Sequence, residues 1–135
     1  MAMSKKARLR VEEAARTAVG EQLNCTPRRT TLQLANDGPK HEFDIYSIGK
    51  VIGGVSTSSL HTSGGKTNTG GCDRALAELL WLSLWAGTEH RIHVLTNRRL
   101  AEWLVRRFTG LAFAREVTVY HYNHRTGRLS SVGTL

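Results

Sequence analysis

The sequence predicts an α/β domain with a mixed central sheet flanked by helices, and three observations carry that expectation. Apolar residues first recur at helical spacing, then appear in three short strand-like runs split by turns, and then helix and strand periods alternate toward the end of the chain. A chain of 135 residues, 40% hydrophobic and 22% charged, is long enough for one core and too short for two, so residues 1–135 are read as one domain.

From Lys5 to Leu23, Val11, Ala15, Ala18 and Val19 fall at amphipathic-helix spacing between Glu12, Glu13, Arg16 and Glu21. Asn24 to Arg29, with Pro27, breaks the helix, and Thr30–Ala35 alternates as a strand before the turn Asn36-Asp37-Gly38-Pro39. Two further strands, His41–Ser47 and Lys50–Thr57, flank the turn Ile48-Gly49-Lys50, which makes the three an antiparallel meander. Ser58–Gly71, rich in Ser, Thr, Gly and Asn, is a loop. It feeds a helix capped by Asp73 and stopped by Gly87, so apolar in Leu76, Leu79, Leu80, Trp81, Leu82, Leu84 and Trp85 that packing on several sides is expected. Arg91–Thr96 reads as a buried strand, Asn97 as the cap of a helix over Arg98–Phe108 ended by Gly110, and Glu116–Tyr122 as a last strand. The tail from Asn123 is expected to fray or to depend on a partner.

The balance of 19 Lys+Arg against 11 Asp+Glu gives a net charge of +8 and a field that favours phosphate backbones. Arginine pairs at Arg28-Arg29, Arg98-Arg99 and Arg106-Arg107 suit phosphate better than lysine does, because the guanidinium fork is planar and bidentate. Arg28, Arg29, Lys66, Arg74, Arg98 and Arg99 are the candidate nucleic-acid contacts, with DNA favoured over RNA. Cys25 and Cys72 lack metal-ligand spacing and are expected to be reduced thiols in a cytoplasmic protein. No apolar run approaches the roughly 18 residues a membrane span needs, so no membrane association is expected. His121-x-x-His124 and His93 have no partner at zinc spacing, and no zinc site is expected.

One residue conflicts with its surroundings. Asp44 sits among Phe43, Ile45 and Tyr46, and a carboxylate is comfortable there only if it faces a polar site or a cation. The order helix, three strands, helix, strand, with Glu42-Phe43-Asp44 followed by a turn and Val51-Ile52-Gly53-Gly54-Val55-Ser56, resembles the restriction-endonuclease-like, or PD-(D/E)XK, superfamily. The resemblance implies that core with an added helix and strand, and a nuclease activity dependent on Mg²⁺ or Mn²⁺. It places the family's Asp at Asp44 and its E-x-K acid and lysine at Gly54 and Ser56, where the sequence departs from the pattern.

Such a site still needs a second carboxylate for the metal and a group that positions water. Glu78, alone among leucines and tryptophans, is the candidate second ligand beside Asp44; a surface pair with Arg74 is the plainer use. Lys66 or Ser56 would orient water or phosphate, and the first helix would contribute Glu13, next to the Ala14–Ala15 side. The loop glycines and the helix start behind them form a natural anion site, without the spacing of a nucleotide-triphosphate loop. One site per chain implies a homodimer for double-strand cutting, with the apolar second helix and Trp103 as interface material.

Two alternatives stand beside this. Thr67-Asn68 before Ala77-Glu78-Leu79, Leu95-Thr96-Asn97 and Asp37-Gly38 also resemble elements of ribonuclease H-like nucleases, which would make Asp37 and Glu78 the ligands, with Asn97 in place of an expected Asp. The other alternative is a non-catalytic nucleic-acid-binding or assembly module that kept the scaffold and lost the metal site, which Gly54 and Ser56 favour.

Overall fold

In the computed structural model, which describes residues 3–135, α1 (Lys5–Leu23) precedes a meander of β1 (Arg28–Gln33), β2 (Lys40–Ser47) and β3 (Val51–Ser56). Then follow α2 (Thr69–Leu84), β4 (His90–Leu95), α3 (Arg98–Phe108), β5 (Thr118–Asn123) and β6 (Arg128–Thr134). The strands form one open mixed sheet in chain order, β1 to β6. β3 pairs in parallel with β4 and β4 with β5, while the other neighbours are antiparallel. Parallel neighbours need long crossovers, and α2 and α3 supply them.

The two faces of the sheet are covered differently. On one, Ala15 and Val19 of α1 pack with Ile45, Val51, Ile92, Val94 and Tyr122. On the other, Leu79 and Leu82 of α2 and Leu100 and Leu104 of α3 pack with Phe43, Ile52, Leu95, Val117 and Val119. Each such fully buried leucine contributes about 1.5–3 kcal/mol.

Three expectations are corrected. The tail from Asn123 does not fray: Arg128–Thr134 is an edge strand paired antiparallel with β5, with a shift at Val119–Tyr120, and is joined to it by a turn in which Gly127 takes φ 74°. Its exposed positions recur every third residue, at Arg128, Ser131 and Thr134, so it lacks the period-two alternation that marks a strand. The second helix begins at Thr69, capped by Asn68 rather than Asp73, because the Asn68 side chain accepts the Gly71 N–H. Glycine at 71 is required there, since a Cβ would stand 2.5 Å from Asn68 Nδ2. Nor is α2 packed all round. Leu79 and Leu82 are fully buried, whereas Leu80 and Leu84 are 54% and 50% exposed, as expected of a helix that lies on one face of a sheet.

Of the two register irregularities, one at Val119–Tyr120 of β5 and one in β2, the second positions a site. Arg28 pairs with Tyr46 but Thr30 with Phe43, so β2 gains a residue between them, at the Asp44–Ile45 step. Phe43 and Ile45, two apart, consequently enter opposite cores. Pairing of β2 with β3 ends at Ile45 opposite Gly53, and the strands part from Asp44 onward.

Candidate active site

Asp44 stands where β2 leaves β3. Val55, deprived of a ladder partner, donates its N–H to Asp44 Oδ2 at 2.7 Å. Arg16 of α1 donates from Nε to the Asp44 carbonyl at 2.7 Å and so clamps the helix to the bulge. Burial is the largest influence on the Asp44 carboxyl and pushes it up to about 6. The Val55 N–H opposes that shift, the negative charges of Glu12 and Glu78 add to it, and the Arg16 charge opposes it. The negative charge that Asp44 feels from α1 is therefore that of Glu12, not Glu13. Glu13 is exposed and lines the outer grooves of α1, away from the sheet. Helical spacing allowed either residue; the rotation of α1 about its axis chose.

Glu78 reaches from α2 onto β3 at Gly54. A Cβ on Gly54 would lie 2.3 Å from Glu78 Oε1, so the carboxylate occupies the space a side chain at position 54 would take. His41 of β2 holds Glu78 Oε2 at 2.9 Å, and its ring stacks on Trp81 with centroids 4.7 Å apart. Glu78 Oε1 is buried without a hydrogen-bond partner among the described residues. One oxygen is thus oriented and the other open. Arg74, the expected surface partner of Glu78, instead donates to Ser58 Oγ at 3.2 Å.

Ser56, two residues beyond Gly54, bonds His93 Nε2 of β4 at 2.8 Å. His93 is fully buried, which lowers its pKa to about 4 against the opposing charge of Glu78. Its Nδ1 has no partner among the described residues. The pair has the spacing of a nucleophile and base, but a ring so reluctant to accept a proton, with no acid behind it, is a poor base.

His41 and His93 were missed in the sequence as members of this cluster. Their signal was available only in part: each is a histidine on a strand next to an acid-bearing or serine-bearing strand, and which strands neighbour one another is a tertiary fact. Lys66 is exposed in the loop between β3 and α2, which closes on itself through Thr62 N–H to the Lys66 carbonyl and the bridge of His61 with Thr67. No ion pair brings Lys66 to Asp44 or Glu78 among the described residues. Asp37 is exposed in the β1–β2 turn at φ 58°, and Asn97 caps α3 while also receiving the Leu60 N–H.

The candidate backbone contacts divide into two groups. Arg28 and Arg29 are exposed on edge strand β1, Arg29 lying 4.0 Å from Glu42. Arg74 in the first turns of α2 and Arg98 and Arg99 at the start of α3 lie at the carboxyl end of β3 and β4, beside Ser56, where Arg98 pairs with Glu102 at 3.5 Å. Both cysteines are free. Among the described residues no helix is long and apolar enough to cross a membrane, and no three His, Cys, Asp or Glu side chains are grouped to hold a metal. Comparison with family models, curated proteins and solved structures finds no match to the chain.

Proposed function

We propose that this chain is a metal-dependent phosphodiester hydrolase on a restriction-endonuclease-like core, with Asp44 and Glu78 as the metal ligands. Within that class, the particular reading is an endonuclease that acts on DNA. One observation carries it: the acid that the motif leaves out at Gly54 is replaced in space by Glu78, whose carboxylate fills the volume of the absent side chain. Two further facts fit a hard divalent ion such as Mg²⁺ or Mn²⁺. Glu78 keeps a buried oxygen without a partner, and Asp44 is desolvated enough to gain from a neighbouring positive charge. Mg²⁺ commonly binds through one or two carboxylates, with water and substrate phosphate completing its shell.

A bound ion would supply an activated water and neutralise phosphate charge. The protein's own work is then positional. His41 orients Glu78 through Oε2, the Val55 N–H orients Asp44 through Oδ2, and Arg74, Arg98 and Arg99 hold the phosphate backbone on the same edge of the sheet. The net charge of +8 favours the polyanion. Cutting both strands of a duplex would take two copies, for which the exposed Leu80 and Leu84 of α2 are the proposed contact.

A second reading, a non-catalytic nucleic-acid-binding module, draws on the placement of Ser56 and Lys66. The first is engaged by His93 and the second is exposed in its loop, so neither puts a cation where the motif's lysine would act. One set of variants separates the two readings. Cleavage of plasmid and single-stranded DNA in Mg²⁺ and Mn²⁺ is lost in Asp44→Ala and Glu78→Ala, and is partly restored when Glu78→Ala is combined with Gly54→Asp, which returns the carboxylate to the strand. Salt-sensitive binding without cleavage in any divalent metal would establish the binding module instead.

A further inference from the structure

The buried polar atoms leave one group unexplained by metal binding, the imidazole of His93. Its Nε2 lies 2.8 Å from Ser56 Oγ, and its Nδ1 is sealed from solvent without a partner among the described residues. The ring is neutral at pH 7, since burial lowers its pKa to about 4, and therefore carries one proton on one of two nitrogens. If Nδ1 held it, a buried N–H would have no acceptor. If Nε2 holds it, the unpartnered atom is a bare acceptor, and orphaned buried donors are rarer in folded proteins than under-satisfied acceptors. The Nε2–H arrangement makes Ser56 Oγ the acceptor in this bond. The serine's own hydrogen is then left to donate elsewhere, and Ser56 has no second side-chain partner among the described residues.

The direction available to that hydrogen is informative. Ser56 is the last residue of β3, half-buried, on the α2 side of the sheet together with Gly54 and Glu78. Beyond it the chain turns into the loop that carries Ser58, whose hydroxyl accepts from Arg74 of α2. We propose that His93 is a positioning residue that fixes the Ser56 hydroxyl as a hydrogen-bond donor to a non-bridging phosphate oxygen of the substrate. Ser56 is thereby a phosphate-binding residue rather than a nucleophile. No bond is made or broken at Ser56, and its proton stays with it. This deepens the phosphodiesterase reading and rests on it for the identity of the ligand, whereas the tautomer of His93 is a property of the free protein.

Two measurements test it. In protein labelled with ¹⁵N at histidine, two-bond ¹H–¹⁵N correlation at pH 7 should show His93 protonated on Nε2; a proton on Nδ1 overturns the proposal. Binding of a short DNA duplex in Ca²⁺, followed by fluorescence anisotropy, should weaken roughly tenfold in Ser56→Ala, the worth of one hydrogen bond to a charged group. His93→Gln, which keeps an N–H near the Nε2 position, should bind more tightly than His93→Leu. Wild-type affinity in Ser56→Ala overturns the proposal even where cleavage still depends on Asp44, so the two failures are distinguishable. If His93→Leu does not fold, Ser56→Ala and the tautomer decide alone. A wild-type chain that binds no duplex overturns the ligand together with the reading beneath it.

Discussion

Asp44 and Glu89 are both carboxylates drawn into a sheet-and-helix interior, and the protein treats them in opposite ways. Burial by itself raises Glu89, but the Gly49 N–H at 2.8 Å, the Trp85 indole N–H at 2.8 Å and Tyr46 outweigh it, and the carboxyl ends below its ordinary range. Asp44 receives one N–H and two like charges, and ends raised at about 6. The same contrast extends to their neighbours. Arg91, beside Glu89, spends its guanidinium on the carbonyls of Leu82, Trp85, Gly87 and Glu89, which are the open end of α2 and the turn that follows. Glu78, whose charge acts on Asp44, and His93, next to Ser56 on the neighbouring strand, each keep a buried atom without a partner among the described residues. The fold satisfies the buried polar side chains around Glu89 and leaves Glu78 Oε1 and His93 Nδ1 without a partner among the described residues, which is the contrast that the proposed function rests on.

The largest effect should come from breaking the satisfied end. Arg91→Met strands several carbonyls at once, and unfolding in urea should show a loss of about 3–5 kcal/mol. Cleavage, if the chain has the proposed activity, should be little changed in whatever fraction stays folded, because Arg91 pairs with Ile52 near the start of β4, at the other end from Ser56 and Leu95.

Next is Asp44→Asn, with the opposite signature. If Asp44 holds the metal as proposed, the substitution should slow cleavage roughly a thousandfold, equivalent to about 4 kcal/mol in the transition state. Stability at neutral pH should rise. The folded state holds the Asp44 proton up to about pH 6, against 3.8 unfolded. The native state therefore binds more protons between those values, and its stability falls as pH rises through that window. The cost at pH 7 reaches up to about 3 kcal/mol. The difference between wild type and Asp44→Asn across that range isolates the contribution from that of His93, which also titrates with folding. Divalent ions should raise the melting temperature of the wild type and not of this variant.

Glu89→Gln should cost about 1–3 kcal/mol at neutral pH. The sign of its pH dependence is the reverse of Asp44's. A carboxyl depressed in the folded state contributes stability above its unfolded value of 4.5 and loses it as pH falls, so the variant and wild type should converge in acid. The smallest effect belongs to the exposed Arg98–Glu102 pair. Arg98→Gln should change stability by less than about 0.5 kcal/mol yet lower the slope of log affinity for DNA against log salt by about one.

Much of the frame was legible in the chain. α1 begins and ends at Lys5 and Leu23 as its apolar spacing dictates, α3 runs from Arg98 to Phe108 behind its Asn97 cap, and the meander follows from turns at Asn36–Pro39 and Ile48–Lys50. Asp44 declared itself as an acid among apolar neighbours, and Glu78 as an acid alone in an apolar helix. The start of α2 was misplaced because two glycines read as loop, although Gly71 is the residue that lets Asn68 and Ser58 close over the helix end. The last strand was missed because partly buried residues fall on both of its faces, at Leu129 and Gly133 and at Ser130 and Val132, and no period-two pattern results.

What the sequence by itself determined was local: where the period changes from helix to strand, where turns must fall, and which acids are out of place. Only the tertiary structure decided which of those acids meet. The bulge at Asp44 depends on β1 lying against β2, the insertion of Glu78 over Gly54 depends on how α2 crosses β3, and the contact of Ser56 with His93 depends on the parallel pairing of β3 and β4. Each of these is a register between segments far apart in the chain, set by the packing of two cores at once, and no window of residues contains it.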